Sequence, residues 1–349
     1  MRVRLCYYLR YMYRWAICLS VFALSLFSVT GIFAQETSCI SRIVPITVLD
    51  SHGHVIHGLL SSDFTAKIHG RPARILSVSL DKRPHRVVVL LDESGSMGVS
   101  DGRPWEVARE IASHIAESKL ENTSLALMIY SDKVHEQVDF VQGSAAVLAR
   151  LREISADSSY IKKNVRGRTA TYDAILSASR LLDASDSSDS IYLISDGDEN
   201  QSRFKSGDVA HALGPRSVRL HVTLLSKAPI MGFGNRVPEE GDSIETITSL
   251  ASDSGGLVVS PVGARSPNGT NYNVTNDQFK TLSVALTRLY VAITNDELLE
   301  IELPQTIQKW ERLSLELSPE RKNLHKDLRI AYPKELAPCS ALSHYLAPR

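Results

Sequence analysis

Cysteine is scarce. The chain has four in 349 residues, and no two of them stand at metal-ligand spacing, which excludes a cysteine-based zinc site. The eleven histidines contain no HExxH pair, so a zinc protease of that type is excluded as well. No strongly basic stretch is present, and 39 basic residues balance 39 acidic ones; the electrostatic footprint of a nucleic-acid binder is missing. No P-loop or GxGxxG motif follows a strand-like run. Gly95-Ser96-Met97-Gly98 is not the GxSxG elbow of serine hydrolases. With 43% hydrophobic and 22% charged residues the chain is neither disordered nor collagen-like, and its length suits about two domains.

The first 34 residues stand apart. Their only charges are Arg2, Arg4, Arg10 and Arg14, and Ala16 to Ala34 is almost wholly apolar or small. A positive start, an apolar stretch and a terminal small residue read as a secretory signal peptide, residues 1–34, cleaved after Ala34 or Gln35. The competing reading is an uncleaved anchor, because residues 15–34 are just long enough to span a bilayer. Either reading exports the bulk of the chain, to the periplasm or beyond. Cys6 and Cys18 belong to this segment, leaving Cys39 and Cys339. In an oxidising compartment that pair is expected to form one disulfide joining the two ends. The sequons at Asn122, Asn268 and Asn273 matter only in a glycosylating host.

Between residues 35 and 85 the pattern is β-rich. Arg42 to Leu49 and Ala73 to Leu80 are strand-like, with turn signals at Asp50-Ser51-His52-Gly53 and His69-Gly70. From 86 to 294 strands alternate with helices. Val87-Val88-Val89-Leu90-Leu91, Leu125 to Tyr130, Ile191 to Ile194 and Val218 to Leu225 are continuous apolar runs, as expected of strands buried on both faces. Val134 to Phe140, with interleaved charges, reads as an edge strand. Pro104 is placed at the first position of a helix carrying Val107, Ala108, Ile111, Ala112 and Ile115. The fold class is α/β: a doubly wound, mostly parallel sheet covered on both faces. The tail, 295–349, returns to alternating strands around Leu298 to Leu303, Leu313 to Leu317 and Leu328 to Tyr332. These are expected to pack with residues 35–85 as a small accessory β domain built from both termini.

Chemistry concentrates in three loops expected at one edge of the sheet, the edge where open α/β sheets bind ligands. Asp92 closes the first apolar run, and Ser94 and Ser96 follow at alternate positions. Thr169 lies in Gly167-Arg168-Thr169-Ala170-Thr171-Tyr172-Asp173-Ala174, and Asp196 in Ser195-Asp196-Gly197-Asp198. Carboxylates and hydroxyls are hard oxygen donors suited to Mg²⁺, Ca²⁺ or Mn²⁺. Plainer roles compete for the neighbours. Thr171 is expected as a helix cap, Asp173 as a first-turn acid facing the helix dipole, and Asp198 as a solvated loop acid.

Asp92-x-Ser94-x-Ser96, Thr169 and Asp196 together resemble the metal-ion-dependent adhesion site (MIDAS) of von Willebrand factor type A domains, whose fold is Rossmann-like. Gly255-Gly256 also resembles that family. The flank with Asp50, Gly53, Gly58-Leu59 and Asp63-Phe64 is similar to that of its acidobacterial VWFA-related group, as is the β tail. The resemblance implies direct metal contacts from Ser94 and Ser96, and contacts from Thr169 made directly or through water. It implies that Asp92 and Asp196 act largely through waters, and that one position stays open for a partner's Glu or Asp. Arg168 stands where glycine is common, and Glu93 is an additional carboxylate expected to turn outward; with Asp198 they are candidate rim residues. The loop from Ala228 to Asp242, rich in Gly and Pro, is expected to add specificity.

The reading that follows is a non-enzymatic, exported protein-binding module, its unidentified partner offering an acidic side chain. Two alternatives have tests. A structural component of an envelope or surface assembly would use the metal only to stiffen loops. A metal-dependent hydrolase would use it to activate water, but no base stands paired with a nucleophile in this sequence.

Overall fold

The computed structural model describes residues 39–118, 120–182, 189–225, 243–260, 276–324 and 327–341. The signal-like segment, the loop 228–242, Asn268 and Asn273 lie outside the described residues.

Six strands form the central sheet: β5 (His85–Asp92), β6 (Thr123–Tyr130), β7 (Val134–Val138), β8 (Ser190–Ser195), β9 (Arg219–Leu224) and β10 (Val258–Val259). Their order is β10-β9-β8-β5-β6-β7. All neighbours are parallel except β7, which runs antiparallel at the edge. Alternation along β5 decides the two faces. Val87, Val89 and Leu91 pack with Trp105, Ile111 and Ile115 of helix α1 (Val99–Glu117), with α2 (Gly143–Ala156), and with Leu289 and Tyr290 of α7 (Asn276–Thr294). Val88 and Leu90 pack on the other face with α4 (Thr171–Leu181), α5 (Ser206–Leu213) and α6 (Ser243–Asp253). A sheet covered twice needs apolar residues at every strand position, which explains the unbroken Val87–Leu91 run.

Pro104 does not open its helix. Assigned helical geometry begins at Val99, and Asp101 and Gly102 in its first turns hold φ of +60° and +79°. The proline follows this left-handed pair, where its lost N–H costs little. One short helix, α3 (Tyr160–Asn164), has no counterpart in the sequence reading.

The remaining strands come from the chain's two ends. They are β1 (Ser41–Leu49), β2 (Phe64–Ile68), β3 (Arg71–Ala73), β4 (Ile75–Leu80), β11 (Glu297–Glu302), β12 (Glu311–Leu317), β13 (Arg329–Ala331) and β14 (Glu335–Leu336). They make two four-stranded sheets, β13-β1-β11-β4 and β14-β12-β2-β3. Val44, Ile46 and Val48 of β1 share one core with Phe64, Ala66 and Ile68 of β2, Leu299 and Ile301 of β11, and Leu313, Leu315 and Leu317 of β12. Cys39 and Cys339 are bonded, with Cα atoms 6.0 Å apart.

A buried polar knot joins the central sheet to the terminal strands. The Arg219 guanidinium of β9 pairs with Asp296, and donates to the Thr47 hydroxyl at 3.0 Å and to the Ile293 carbonyl at 3.2 Å. Thr47 in turn donates to Asp296 at 2.8 Å. All three side chains are fully or almost fully buried. Close backbone approach is needed nearby, where Gly255 holds φ +80° and a Cβ on Gly256 would lie 1.9 Å from the Leu220 carbonyl oxygen. Only glycine fits there.

Candidate metal centre

The parallel register brings the ends of β5 and β8 side by side, with Leu91 opposite Ile194. The next residue on each strand then carries a polar side chain at the carboxyl edge. Asp92 Oδ1 accepts the Ser94 N–H at 2.9 Å, and Oδ2 accepts the Ser195 hydroxyl at 2.6 Å. The Ser195 oxygen accepts the Gly197 N–H at 2.9 Å. Ser94 precedes a tight 3₁₀ turn, Gly95–Gly98, which brings the Ser94 and Ser96 hydroxyl oxygens within 3.1 Å of each other.

A second loop is sewn to this turn by backbone bonds, and a third to the second. The Gly95 N–H donates to the Gly167 carbonyl at 3.0 Å, and the Arg166 N–H to the Glu93 carbonyl at 3.0 Å. Thr169 is buried. Its N–H donates to Asn200 Oδ1 at 3.0 Å, and its carbonyl accepts the N–H groups of Asn200 and Gln201, both at 3.0 Å. The structure thus brings Asp92, Ser94, Ser96 and Asp196 into one neighbourhood, with Thr169 on the loop tied to both flanking loops.

The electrostatics are one-sided. Burial lifts the Asp92 carboxyl far above the usual carboxylate range, and the negative charge of Asp196 adds to the lift. Tyr130, fully buried, is also pushed upward, first by burial and then by Asp92 and Asp196. A buried carboxylate beside a second one costs free energy unless a cation accompanies it. The donors are carboxylates and hydroxyls, a set that fits a hard divalent ion. Hydroxyls outnumber carboxylates in it, and among the described residues no group of three or more His, Cys, Asp or Glu is placed to hold a metal.

Glu93 and Thr171 differ from the sequence expectation. Glu93, expected at the rim and facing outward, is buried and accepts the Tyr160 hydroxyl at 2.9 Å. Its N–H still pairs with Tyr130, so the alternation of β5 continues one residue and sends the side chain to the Val87–Leu91 face. Burial there pushes its carboxyl up to about 7. Thr171 does not cap a helix end by its side chain. It is buried, donates to the Asp198 carbonyl at 2.9 Å and lies 3.2 Å from the Tyr130 hydroxyl. Arg168 is exposed and donates to Gln201 Oε1 at 2.7 Å. Asp198 is exposed, its N–H bonded to Asp196. Asp173 sits in the first turn of α4 and accepts the N–H groups of Arg203 and Phe204.

Sequence reasoning passed over Ser195, Tyr130 and Asn200. Ser195 carried a readable signal, as a polar residue ending an apolar strand directly before Asp196. Tyr130 and Asn200 carried none, because their roles depend on neighbours 30 or more residues away.

Residues 87–199 match the family described as von Willebrand factor type A domain. No curated protein matches the chain significantly. Similar solved structures include the conserved hypothetical protein BatB from Bacteroides thetaiotaomicron, at 19% identity and TM-score 0.38, covering 58% of this chain and 98% of that one. An aerotolerance-related membrane protein from Bacteroides fragilis has 16% identity and TM-score 0.37, covering 59% and 98%. A von Willebrand factor type A protein from Catenulispora acidiphila has 11% identity and TM-score 0.41, covering 87% and 75%.

Proposed function

Residues 87–199 of this chain are a von Willebrand factor type A domain, from a family that often mediates protein–protein interaction, and from that premise we propose a metal-dependent protein-binding module acting outside the cytoplasm. The observation that carries the reading is Asp92: a fully buried carboxylate, raised by burial and by a second carboxylate, next to Ser94, Ser96 and Asp196 at the carboxyl edge of the sheet.

The hydroxyls of Ser94, Ser96 and Thr169 and the carboxylates of Asp92 and Asp196 would hold Mg²⁺, or Ca²⁺ or Mn²⁺ in its place. When bound, the ion supplies a hard positive centre with room for an acidic side chain of a partner protein. The chain's own residues prepare that centre. Ser195 and the Ser94 N–H orient both oxygens of Asp92, and the ties among Gly95, Gly167, Thr169 and Asn200 hold the loops in register. Arg168, exposed beside Thr169, would attract an approaching acidic surface.

Export rests on the N-terminal segment, with retention through residues 15–34 as the anchored variant. Among the described residues no helix is long and apolar enough to cross a membrane.

The test is affinity capture from the native envelope in Mg²⁺ and in EDTA, with wild type and Asp92→Ala. Binding requires a partner retained by wild type in Mg²⁺ and lost in EDTA and in the variant. The density of bonds between loops favours a second reading, a purely stabilising metal. That reading predicts a fall in melting temperature on chelation and no partner to lose. Turnover of a hydrolase substrate would overturn both.

A further inference from the structure

The edges of the three sheets are not alike. Among the described residues, β10 and β14 have two residues each, β13 has three with Arg329, and β3 has three with Arg71 and Pro72. The β7 edge carries His135 and Glu136. Short length, charge and proline are the usual means of blocking an edge from pairing with another chain. The sixth edge, β4, has none of them. It reads Ile75-Leu76-Ser77-Val78-Ser79-Leu80, six residues without charge or proline.

Its backbone faces outward in a regular way. The Asp81 N–H donates to the Asp296 carbonyl at 2.8 Å, and Ser79 and Ser77 lie opposite Leu298 and Glu300. In an antiparallel pair, hydrogen-bonded positions alternate, so Ser77, Ser79 and Asp81 bond inward to β11. Val78 and Leu80 therefore direct N–H and C=O away from the sheet. The register slips once, between Glu300 and Ile301, near the start of the strand. On the sandwich side Val78 packs against the accessory core, and its flanks Leu76 and Leu80 remain 39% and 46% exposed. Donors and acceptors with no backbone partner among the described residues, beside exposed leucines, call for an extended strand bearing apolar residues at alternate positions.

We propose that this strand is β4 of a second copy, paired antiparallel about a two-fold axis through Val78. The sequence complements itself in that register. Val78 meets Val78 of the second copy, Leu80 meets Leu76, and Ser77 meets Ser79, so from Leu76 to Leu80 apolar residues face apolar ones and hydroxyls face hydroxyls, while Ile75 at each end comes opposite Asp81. Arg74, which would come opposite Lys82 at each end, lies beside the Glu302 carboxylate, which tempers the repulsion. The result is one sheet continuous through both copies. The proposal does not depend on the metal-site reading.

The test is sedimentation of the purified full chain from about 1 to about 200 µM, with and without EDTA, together with a cysteine at the axis. Val78→Cys places two thiols on residues whose Cα atoms are about 5.5 Å apart in a hydrogen-bonded antiparallel pair, within disulfide range. Mild oxidation is expected to link Val78→Cys into a covalent dimer. Leu76→Cys, whose own counterpart lies four residues along the opposite strand, is expected to link at least tenfold more slowly. Val78→Lys, at a site already partly exposed, is expected to remain folded and sediment as a monomer. A chain that stays monomeric over the whole range, or equal linking of the two cysteine variants, overturns the pairing. So does saturable binding of a foreign extended peptide to monomeric protein at this edge, which would make the occupant another protein.

Discussion

Replacing Asp92 with Asn should raise stability in the absence of metal and abolish the stability that metal adds. In the metal-free protein at pH 8, Asp92 is ionised, fully buried and near a second carboxylate. Its carboxyl is raised from 3.8 to about 7, which at 1.36 kcal/mol per pK unit corresponds to at most about 4 kcal/mol of strain in the folded state. Removing the charge has its own cost, because the new amide must be accommodated against the Ser195 hydroxyl, at about 1 kcal/mol. Asp92→Asn is therefore expected to stabilise the metal-free protein by about 1–3 kcal/mol, a rise of several degrees in melting temperature. The sign is set by the raised folded-state pKa: the folded form binds the extra proton, so wild-type stability is full below the unfolded value and is lost as pH rises toward 7. At pH 4 the two proteins should converge. Saturating Mg²⁺, at about 100 times the dissociation constant, should stabilise wild type by about 2.7 kcal/mol and leave the variant unmoved. Differential scanning calorimetry in EDTA and in Mg²⁺, at pH 4 and pH 8, reads all four combinations. A variant that melts below wild type in EDTA at pH 8, or gains as much from Mg²⁺, refutes the reasoning.

Asp296→Asn leaves the Arg219 guanidinium buried without its counter-charge, and should cost about 3–5 kcal/mol in urea unfolding; Asp296→Asn with Arg219→Met should recover part of that loss. Glu93→Gln keeps an acceptor for the Tyr160 hydroxyl. Because burial raises Glu93 to about 7, wild-type stability falls as pH climbs from the ordinary glutamate range to 7, and the variant's pH–stability curve in EDTA should be flatter across that window. Gly256→Ala drives a methyl into the Leu220 carbonyl, and should lower the melting temperature more than Gly207→Ala, where no atom lies within reach. Replacing both Cys39 and Cys339 with Ser should cost about 2–5 kcal/mol, read by denaturation of the oxidised wild type against the variant.

The sequence by itself determined the class of the central domain. Unbroken apolar runs such as Val87–Leu91 can be satisfied only by strands covered on both faces, and the polar residues that end them mark the edge where chemistry gathers. Local spacing also set Asp92, Ser94 and Ser96 beside two further polar loops as candidate oxygen donors, and the resemblance to von Willebrand factor type A domains picked Thr169 and Asp196 out of those loops. What tertiary structure decided is everything that depends on which neighbour is brought alongside. Glu93 turned inward because β6 extends its pairing one residue past the strand end. Thr171 became a bolt to Asp198 rather than a cap because the third loop packs over its helix. The pairing of β1 with β11 joins residues some 250 positions apart, and the Arg219–Asp296–Thr47 knot exists only once that pairing is made. Strand periodicity is written in adjacent residues; side-chain direction at strand ends and the partners of buried charges are set by residues distant in the chain.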